Sequence, residues 1–420
     1  MTDAHAHTRA HLGAAAMIRT DSATRASWQD LPMFFDAPHR ALGEELAVSV
    51  PAREADLEHA AQAARAMGPL GLYALLVPSA SGGRVVDPSR PTAIDVRALC
   101  IAREALGYTS PLADSIFAVQ GLGSHPVVLA APGAGAERRA AFLAEVVRGD
   151  RIGAFALTEP EAGTDVASMR TTARREGDGW VLDGEKIFIS NVGIADHYVV
   201  FATADPSLGK KGISAFVVPA GAPGLTLEQV PLSVDHPLGR LLLHGCKVPE
   251  AALLGEVGHG LRLALGTLDV FRTSVGAAAV GMARRALDES VRRVTTRVQF
   301  GQPLGDFQLT QAALADMVTD LDAARLLVFR AAWNKDHGVA SPTDVAMAKM
   351  YATEAAQRVI DRAVQLHGGL GVALGSVVER LYREIRPLRI YEGTTEIQKL
   401  IIGSSLVNES KKSAKKAVAT

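Results

Sequence analysis

The chain has 420 residues, with 44 Lys and Arg set against 45 Asp and Glu for a net charge of −1. That length exceeds what one hydrophobic core organises, so two or three domains are expected. The even charge balance leaves no footprint for nucleic acid or an anionic membrane surface, and the expected partners are small molecules or proteins.

Residues 1–32, with His5, His7 and His11 among Ala, Thr and Arg, lack the apolar core of a secretion signal and carry Asp3 and Asp21. They read as a disordered leader rather than a targeting peptide. A histidine tract also permits metal binding, but composition alone does not argue for it, and no metal is expected. From 33 to 150 apolar residues recur at helical spacing, as in Ile94, Ala98, Ile101 and Ala105 or Leu143 with Val147. Gly68-Pro69, Gly107 and Gly149 supply stops, which gives an N-terminal helical domain. The uncharged run 115–136 holds Gln120, Pro126, Pro132 and several glycines, poor material for a bilayer span, so no transmembrane helix is read there. Cys100 and Cys246 lie far apart and in no metal-ligand spacing. A reducing compartment fits them, the cytoplasm or, in a eukaryote, the mitochondrial matrix.

Between 151 and 256 the texture changes to short β-branched and aromatic runs, "WVLDGEKIFIS", "HYVVFAT" and "ISAFVVPA". This predicts a middle β-domain. Asp183-Gly184 predicts a two-residue hairpin turn, and alternation puts Phe188 and Ser190 on one face with Ile187 and Ile189 on the other. From 257 to 405 long helices return. Ala313, Met317, Leu321, Ala324 and Val328 form one apolar stripe, and Val345, Ala348, Ala352, Ala355, Val359, Ala363 and Leu366 another. Ser341-Pro342 with Asp344 predicts a capped start for the second of these, and Gly368-Gly369 its end. Residues 406–420, with Lys411, Lys412, Lys415 and Lys416, read as a flexible tail.

Four segments carry chemistry, each with a plain structural alternative. "FALTEPEAGT", 155–164, reads as a binding loop or a surface turn. "QLHGGLG", 365–371, offers glycines at a helix end for a phosphate, or an ordinary glycine cap. Arg297 with Phe300-Gly301 and Gln308 suits a pyrophosphate, or decorates a loop. In "RIYEGTTEIQ", 389–398, Glu392 stands between an aromatic residue and a Gly-Thr turn. By itself such a glutamate reads as the solvated start of a helix.

Taken in order, "LTEPEAGTD", "GEKIFISN", "RVQFGQPLGDFQ", "QLHGGLG" and "IYEGTTEIQ" resemble the acyl-CoA dehydrogenase family over residues 34–403. The resemblance implies a mainly α fold with a central β-barrel-like domain and a C-terminal four-helix bundle. It implies an FAD enzyme that converts an acyl-CoA thioester to the trans-2-enoyl-CoA, with Glu392 as base and the flavin N5 as hydride acceptor. Apolar walls, Tyr391 among them, raise such a carboxylate's pKa, and Gly393 lets the backbone approach the thioester. Phe155, Leu157, Thr158 and Thr164 would line flavin and thioester, and Phe188 and Ser190 would contact the isoalloxazine. Arg297, Phe300 and Gln308 would reach the FAD of a neighbouring subunit, and Gln365, Gly368, Gly369, Thr394 and Glu396 would frame its phosphates and adenosine. Asp269 and Arg272 match the family's D-x-x-R, the arginine supporting the active site; an exposed ion pair is the alternative.

This sequence departs from the family in having Phe188-Ile189-Ser190 for Trp-Ile-Thr and Arg383-Glu384 for Arg-Asp. Phe271 precedes Arg272 on the helix where branched-chain and long-chain members can place their catalytic glutamate, and with Glu392 present no second base is needed. Arg386 and Arg389 make the approach to Glu392 basic, and both are expected to point outward. The resemblance further implies a homotetramer and an electron-transferring flavoprotein as acceptor. The acyl group depends on the pocket bottom, expected to include 115–120. Two rival readings stand beside this one, an oxygen-using flavin enzyme of the same fold and a non-catalytic acyl-CoA-binding protein.

Overall fold

The structure, a computed structural model, describes residues 23–130 and 135–418, with side chains to residue 412. His5, His7, His11 and the first 22 residues lie outside the described residues. The rest of the expected leader is packed. A single helical turn, Ser27–Asp30, has Ser27 fully buried, its amide donating to Glu104 Oε1 at 3.1 Å. Arg325, itself nearly buried, takes Asp30 Oδ2 at 3.1 Å and the Arg25 carbonyl as acceptors. A buried guanidinium needs such partners, and residues 25–30 supply them.

The N-terminal helices are α1 (Ala37–Ser49), α2 (Ala60–Ala66), α3 (Val96–Thr109), α4 (Pro111–Leu129) and α5 (Ala136–Arg148). Asp95 caps α3 through the Ala98 amide at 2.9 Å, and Ser110 caps α4 through that of Ala113 at 3.2 Å. Gly149 ends α5 with φ 79°. Gly107 is not a stop but lies inside α3. A Cβ there would stand 2.4 Å from the Ala278 carbonyl oxygen, and one at Gly281 would stand 2.2 Å from that of Glu104. These glycines let two helix backbones touch.

The middle region is one curled, open sheet. Its strands are β1 (Gly153–Ala156), β2 (Thr172–Glu176), β3 (Gly179–Ser190), β4 (His197–Thr203), β5 (Ile213–Pro219), β6 (Leu225–Gln229) and β7 (Leu238–Pro249). The order is β1-β4-β2-β3-β7-β6, with β5 also on β4. Asp183-Gly184 does not turn the chain. β3 runs through it with a register shift against β7 between Leu182 and Gly184, and Asp183 Oδ1 accepts the Gly245 amide at 2.6 Å. The positive φ that Gly184 permits, 146°, serves a bulge. The turn into β3 is made at Gly177 (φ 61°) and Asp178, between β2 and β3. A second shift between Lys186 and Ile189 breaks simple alternation: Lys186 and Ile189 face inward, three residues apart, and Phe188 is turned out.

The C-terminal region holds α6 (Gly260–Thr296), the hairpin β8 (Val298–Gln299) and β9 (Gln302–Pro303), then α7 (Gln308–Asp336), α8 (Pro342–His367), α9 (Val377–Glu384) and α10 (Thr395–Val418). Both predicted stripes face the core, buried from Ala313 to Val328 and from Val345 to Ala363. Ser341 and Asp344 exchange the two bonds of a capping box at the start of α8. α10 continues through the expected flexible tail as far as Val418. By length and composition α6 would suffice to cross a membrane, but 67% of its apolar window is buried inside the fold, as in a core helix. The two helical regions share one core, in which Leu42 and Leu99 join Phe271, Val328 and Ile360. The β-domain has its own, around Leu182, Tyr198 and Phe216. Each large side chain so buried contributes about 1.5–3 kcal/mol. Cys100 and Cys246 are both buried and unpaired with each other.

Candidate active site

After α9, a 3₁₀ turn at Arg386–Arg389 leads to two consecutive left-handed residues, Glu392 (φ 53°) and Gly393 (φ 93°). Glycine takes this region freely, whereas a glutamate there costs roughly 1–2 kcal/mol and persists only when its surroundings hold it. They do. Arg272 Nε on α6 donates to the Glu392 carbonyl at 2.9 Å. Lys349 Nζ on α8 and Gln398 Nε2 on α10 donate to the Gly393 carbonyl at 2.8 and 3.0 Å. Two cations and an amide from three helices therefore fix the backbone beneath the Glu392 carboxyl. Among the described residues nothing accepts the Glu392 N–H, which leaves it available as a donor.

Glu392 retains some accessible surface as a residue, but its Oε2 is inaccessible and has no hydrogen-bond partner. Burial raises its pKa, against the lowering pull of Arg103, Arg272 and Lys349 and with help from Asp114. A carboxylate short of solvation and partners is a stronger proton acceptor than one in water. Lys349 is fully buried, and burial, opposed by the Glu392 charge, brings its ammonium pKa down to about 8. Tyr391 packs against the helical core beside it.

The loop after β1 is no surface turn. Glu159 and Lys186 form a buried pair at 2.7 Å. Glu159 also accepts the amides of Arg170 at 2.6 Å and Thr171 at 3.0 Å, and Lys186 donates to the Leu157 carbonyl at 3.2 Å. The Thr158 carbonyl takes the Ile187 amide at 3.0 Å, so this loop and the bulge of β3 are one unit. On it stand half-buried Phe155, buried Leu157, half-buried Thr158 and half-exposed Ser190. Phe188 is 58% exposed with φ 56°. Asn191 follows at φ 66°, buried, its Nδ2 on the Gly153 carbonyl at 3.0 Å and its Oδ1 without a partner. An aromatic ring held outward by a strained backbone, beside free hydroxyls and an orphaned amide oxygen, fits one face of a flat heteroaromatic cofactor such as FAD. Thr164 is exposed at the rim.

Most of the remaining predicted residues are exposed. Arg297 follows α6, its carbonyl taking the Leu304 amide at 2.8 Å. Phe300 and Gly301, both left-handed at φ 51° and 82°, make the two-residue turn of β8 and β9. Phe300 is 95% exposed. Gln308, Gln365, Gly368 and Glu396 are exposed too, as is Gly369, where an added Cβ would meet open space. The Thr394 hydroxyl caps the start of α10 through the Ile397 amide at 3.4 Å. Glu396 titrates below its ordinary range through a backbone hydrogen bond and Thr394. The D-x-x-R pair is divided: Arg272 reaches Glu392, whereas Asp269 pairs with Lys335 at the surface. Arg389 pairs with Glu354 at 2.8 Å rather than with Glu392, and Arg386 lines a groove with Arg358, Tyr382 and Arg383. Gln120 is not open to a pocket. Its side chain is spent on the Arg151 carbonyl at 2.8 Å and the Gly153 amide at 2.6 Å, tying α4 to β1.

Arg103, Asp114, Lys349, Asn191 and Gln398 were not singled out by sequence reasoning. For Lys349 a signal existed, a lysine on the core side of α8 between buried Ala348 and Ala352. Among the described residues, His39, Asp95 and Asp336 bring ligand atoms within 4.8 Å of one another. Asp336 is already committed to Arg90, Arg97 and the amides that start α3, so the group is an ion network at a helix end.

Residues 154–246 match the family model for the acyl-CoA dehydrogenase middle domain, and 258–407 that for the acyl-CoA dehydrogenase C-terminal domain. Over 362 residues, 85% of each chain, this chain is 40% identical to the human mitochondrial short-chain specific acyl-CoA dehydrogenase. The solved structure of butyryl-CoA dehydrogenase from Megasphaera elsdenii superposes with a TM-score of 0.77 at 34% identity, covering 92% of this chain and all of that one (100%). A glutaryl-CoA dehydrogenase from Mycobacterium smegmatis in complex with FADH2 gives a TM-score of 0.79 at 27% identity, covering 92% and 99%.

Proposed function

Given that this chain belongs to the acyl-CoA dehydrogenase family, we propose that Glu392 is its catalytic base. The observation that carries this reading is the inaccessible, unpartnered Oε2 on a backbone held left-handed by Arg272, Lys349 and Gln398. The activity is FAD-dependent α,β-dehydrogenation of an acyl-CoA thioester to the trans-2-enoyl-CoA. Bound FAD supplies the acceptor for the β-hydrogen, which leaves as hydride. The chain's own work is to remove the α-proton. Glu392 takes it on a carboxylate whose burial favours the protonated product, and the Glu392 N–H donates to the thioester carbonyl, where enolate charge develops.

Phe155, Leu157, Thr158, Phe188 and Ser190 would hold the flavin ring, on the unit that the Glu159–Lys186 pair pins. Thr164, Tyr391 and Gly393 would line the thioester. The surface residues Arg297, Phe300 and Gln308 lie apart from the base within one chain. They therefore suit the FAD of a neighbouring subunit, and Gln365, Gly368, Gly369, Thr394 and Glu396 its phosphates and adenosine, in a homotetramer. A bare phenylalanine in a left-handed turn is readily understood if a second subunit covers it. The substrate proposed is a short acyl chain, in keeping with the short-chain specific and butyryl relatives. Electrons would pass to an electron-transferring flavoprotein, in the cytoplasm or a mitochondrial matrix.

The test is Glu392→Gln holoenzyme mixed anaerobically with a series of acyl-CoAs. Flavin content and ligand binding should be retained while flavin bleaching slows by about 10³-fold or more. Bleaching within tenfold of the parent would assign the base elsewhere.

A further inference from the structure

Helices α3, α4 and α6 meet behind Tyr391. There Arg103 of α3 is fully buried. Its guanidinium faces Asp114 of α4 through two parallel bonds, Nε to Oδ1 at 2.8 Å and Nη2 to Oδ2 at 2.7 Å. Nη1 donates to Ser274 Oγ of α6 at 3.0 Å, and Ser274 donates to the Phe271 carbonyl at 2.6 Å. Asp114 is buried as well. Ser274 stands two residues beyond Arg272, so the helical turn that accepts Arg103 Nη1 also sends Arg272 to the Glu392 carbonyl. Tyr391, next to Glu392 in the chain, packs against the same helical core and is close enough to feel the Arg103 charge. A fully buried ion pair adds little net stability over an apolar replacement of the same volume, because desolvation consumes most of the Coulombic gain. Its place beside the base therefore calls for a different explanation.

We propose that the buried Arg103–Asp114 pair is a positioning device for the base: it ties α3 and α4 to the turn of α6 that carries Arg272 and, as a neutral pair, adds no net charge behind the carboxylate. The inference rests on Glu392 being the base. The charged groups facing Glu392 are Arg103 from α3, Asp114 from α4, Arg272 from α6 and Lys349 from α8. Lys349 in turn feels Glu354 and Glu396. Alone, Arg103 would hold the carboxylate ionised and weaken it as a base. Asp114 cancels that pull through a rigid fork that a mobile counter-ion could not replace. Arg272 and Lys349 remain to bind the two carbonyls.

The test compares the acidic limb of the pH profile for flavin reduction by a short acyl-CoA in four holoenzymes: the parent, Asp114→Asn, Arg103→Met and the double variant. Asp114→Asn leaves Arg103 uncompensated, and its limb should move to lower pH by about half a unit or more, with a lower plateau rate. Arg103→Met leaves Asp114 uncompensated, and its limb should move to higher pH. In the double variant the limb should return to within about 0.3 of the parent. Loss of packing alone would lower rates without moving the limbs in opposite directions. Limbs that stay fixed or move together overturn the proposal. Should a single variant fail to retain flavin, Arg103→Lys decides: with the charge kept and the fork lost, the limb should hold while the plateau drops about tenfold, and a displaced limb overturns the proposal. Glu392→Gln in the same assay separates the two levels. If it still turns over, the base is misassigned; if it is inert while the limbs fail to diverge, only the role of the pair falls.

Discussion

Arg272→Lys keeps a positive charge near Glu392 and removes the geometry that holds it. The Nε–H that reaches the Glu392 carbonyl at 2.9 Å belongs to a planar fork, whereas a lysine ammonium is a point donor on a flexible stem. Without that bond the left-handed pair at 392 and 393 hangs on Lys349 and Gln398, both of which grip only the Gly393 carbonyl. A hydrogen bond from a charged donor is worth about 1.5–3 kcal/mol, which corresponds to a fall in rate of roughly 10- to 150-fold if the bond is fully needed in the transition state. Binding of the acyl-CoA should change much less, so the loss should fall on kcat, with KM within about threefold. Because the charge remains, the acidic limb of the pH profile should not move. The measurement is steady-state turnover with an artificial electron acceptor, alongside flavin absorbance to show that the holoenzyme is intact. A kcat within a factor of two of the parent, with full flavin content, would refute the claim that this bond positions the base.

Glu159→Gln leaves Lys186 buried without a counter-charge, and stability should fall by about 3–5 kcal/mol, read as a lower melting temperature together with weaker flavin retention. Burial lowers the pKa of both His197 and His125 to about 4, below the ordinary value of about 6.5. As pH falls from about 6.5 towards 4 the unfolded chain takes up protons that the folded chain refuses, so each histidine withdraws up to about 3 kcal/mol of stability. The melting temperature should drop across that window, and less steeply in His197→Gln. In Gly281→Ala the new methyl would stand 2.2 Å from the Glu104 carbonyl oxygen, so α3 and α6 must separate. We expect a loss of about 1–3 kcal/mol with a matching fall in turnover, and a variant as stable as the parent would contradict the crossing described above.

The helices were legible because their signal is local and repeated. Ala313 to Val328 and Val345 to Ala363 are buried as their spacing predicts, and Ser341 caps α8 with the residues that a capping box requires. Asp183-Gly184 misled because a hairpin and a bulge ask the same of local backbone. What decides between them is the pairing of Leu182 with Cys246 and of Gly184 with Leu243 on a strand some sixty residues away. Gly107 misled for a related reason, since nothing nearby in sequence reveals that Ala278 touches it. Glu392 stood out by its setting between Tyr391 and Gly393. The residues that hold it, Arg272, Lys349 and Gln398, come from three helices whose meeting no local pattern encodes. Asp114 gave only the faint sign of one charge in an otherwise uncharged helix, and Arg103, on a helix that also carries Arg97 and Glu104, gave none.

The contact of α3 with α6 at Gly107 and Gly281 also bears on modularity. Two main chains that touch with no side chain between them cannot be fitted to new neighbours one at a time, and Arg103 leaves from one of these helices while Arg272 leaves from the other. A chimera that takes its first 150 residues from a relative should inherit a mismatched groove unless the partner helix travels with it. The unit of exchange in this protein is therefore the crossed helix pair, even though 150 intervening residues separate its halves along the chain.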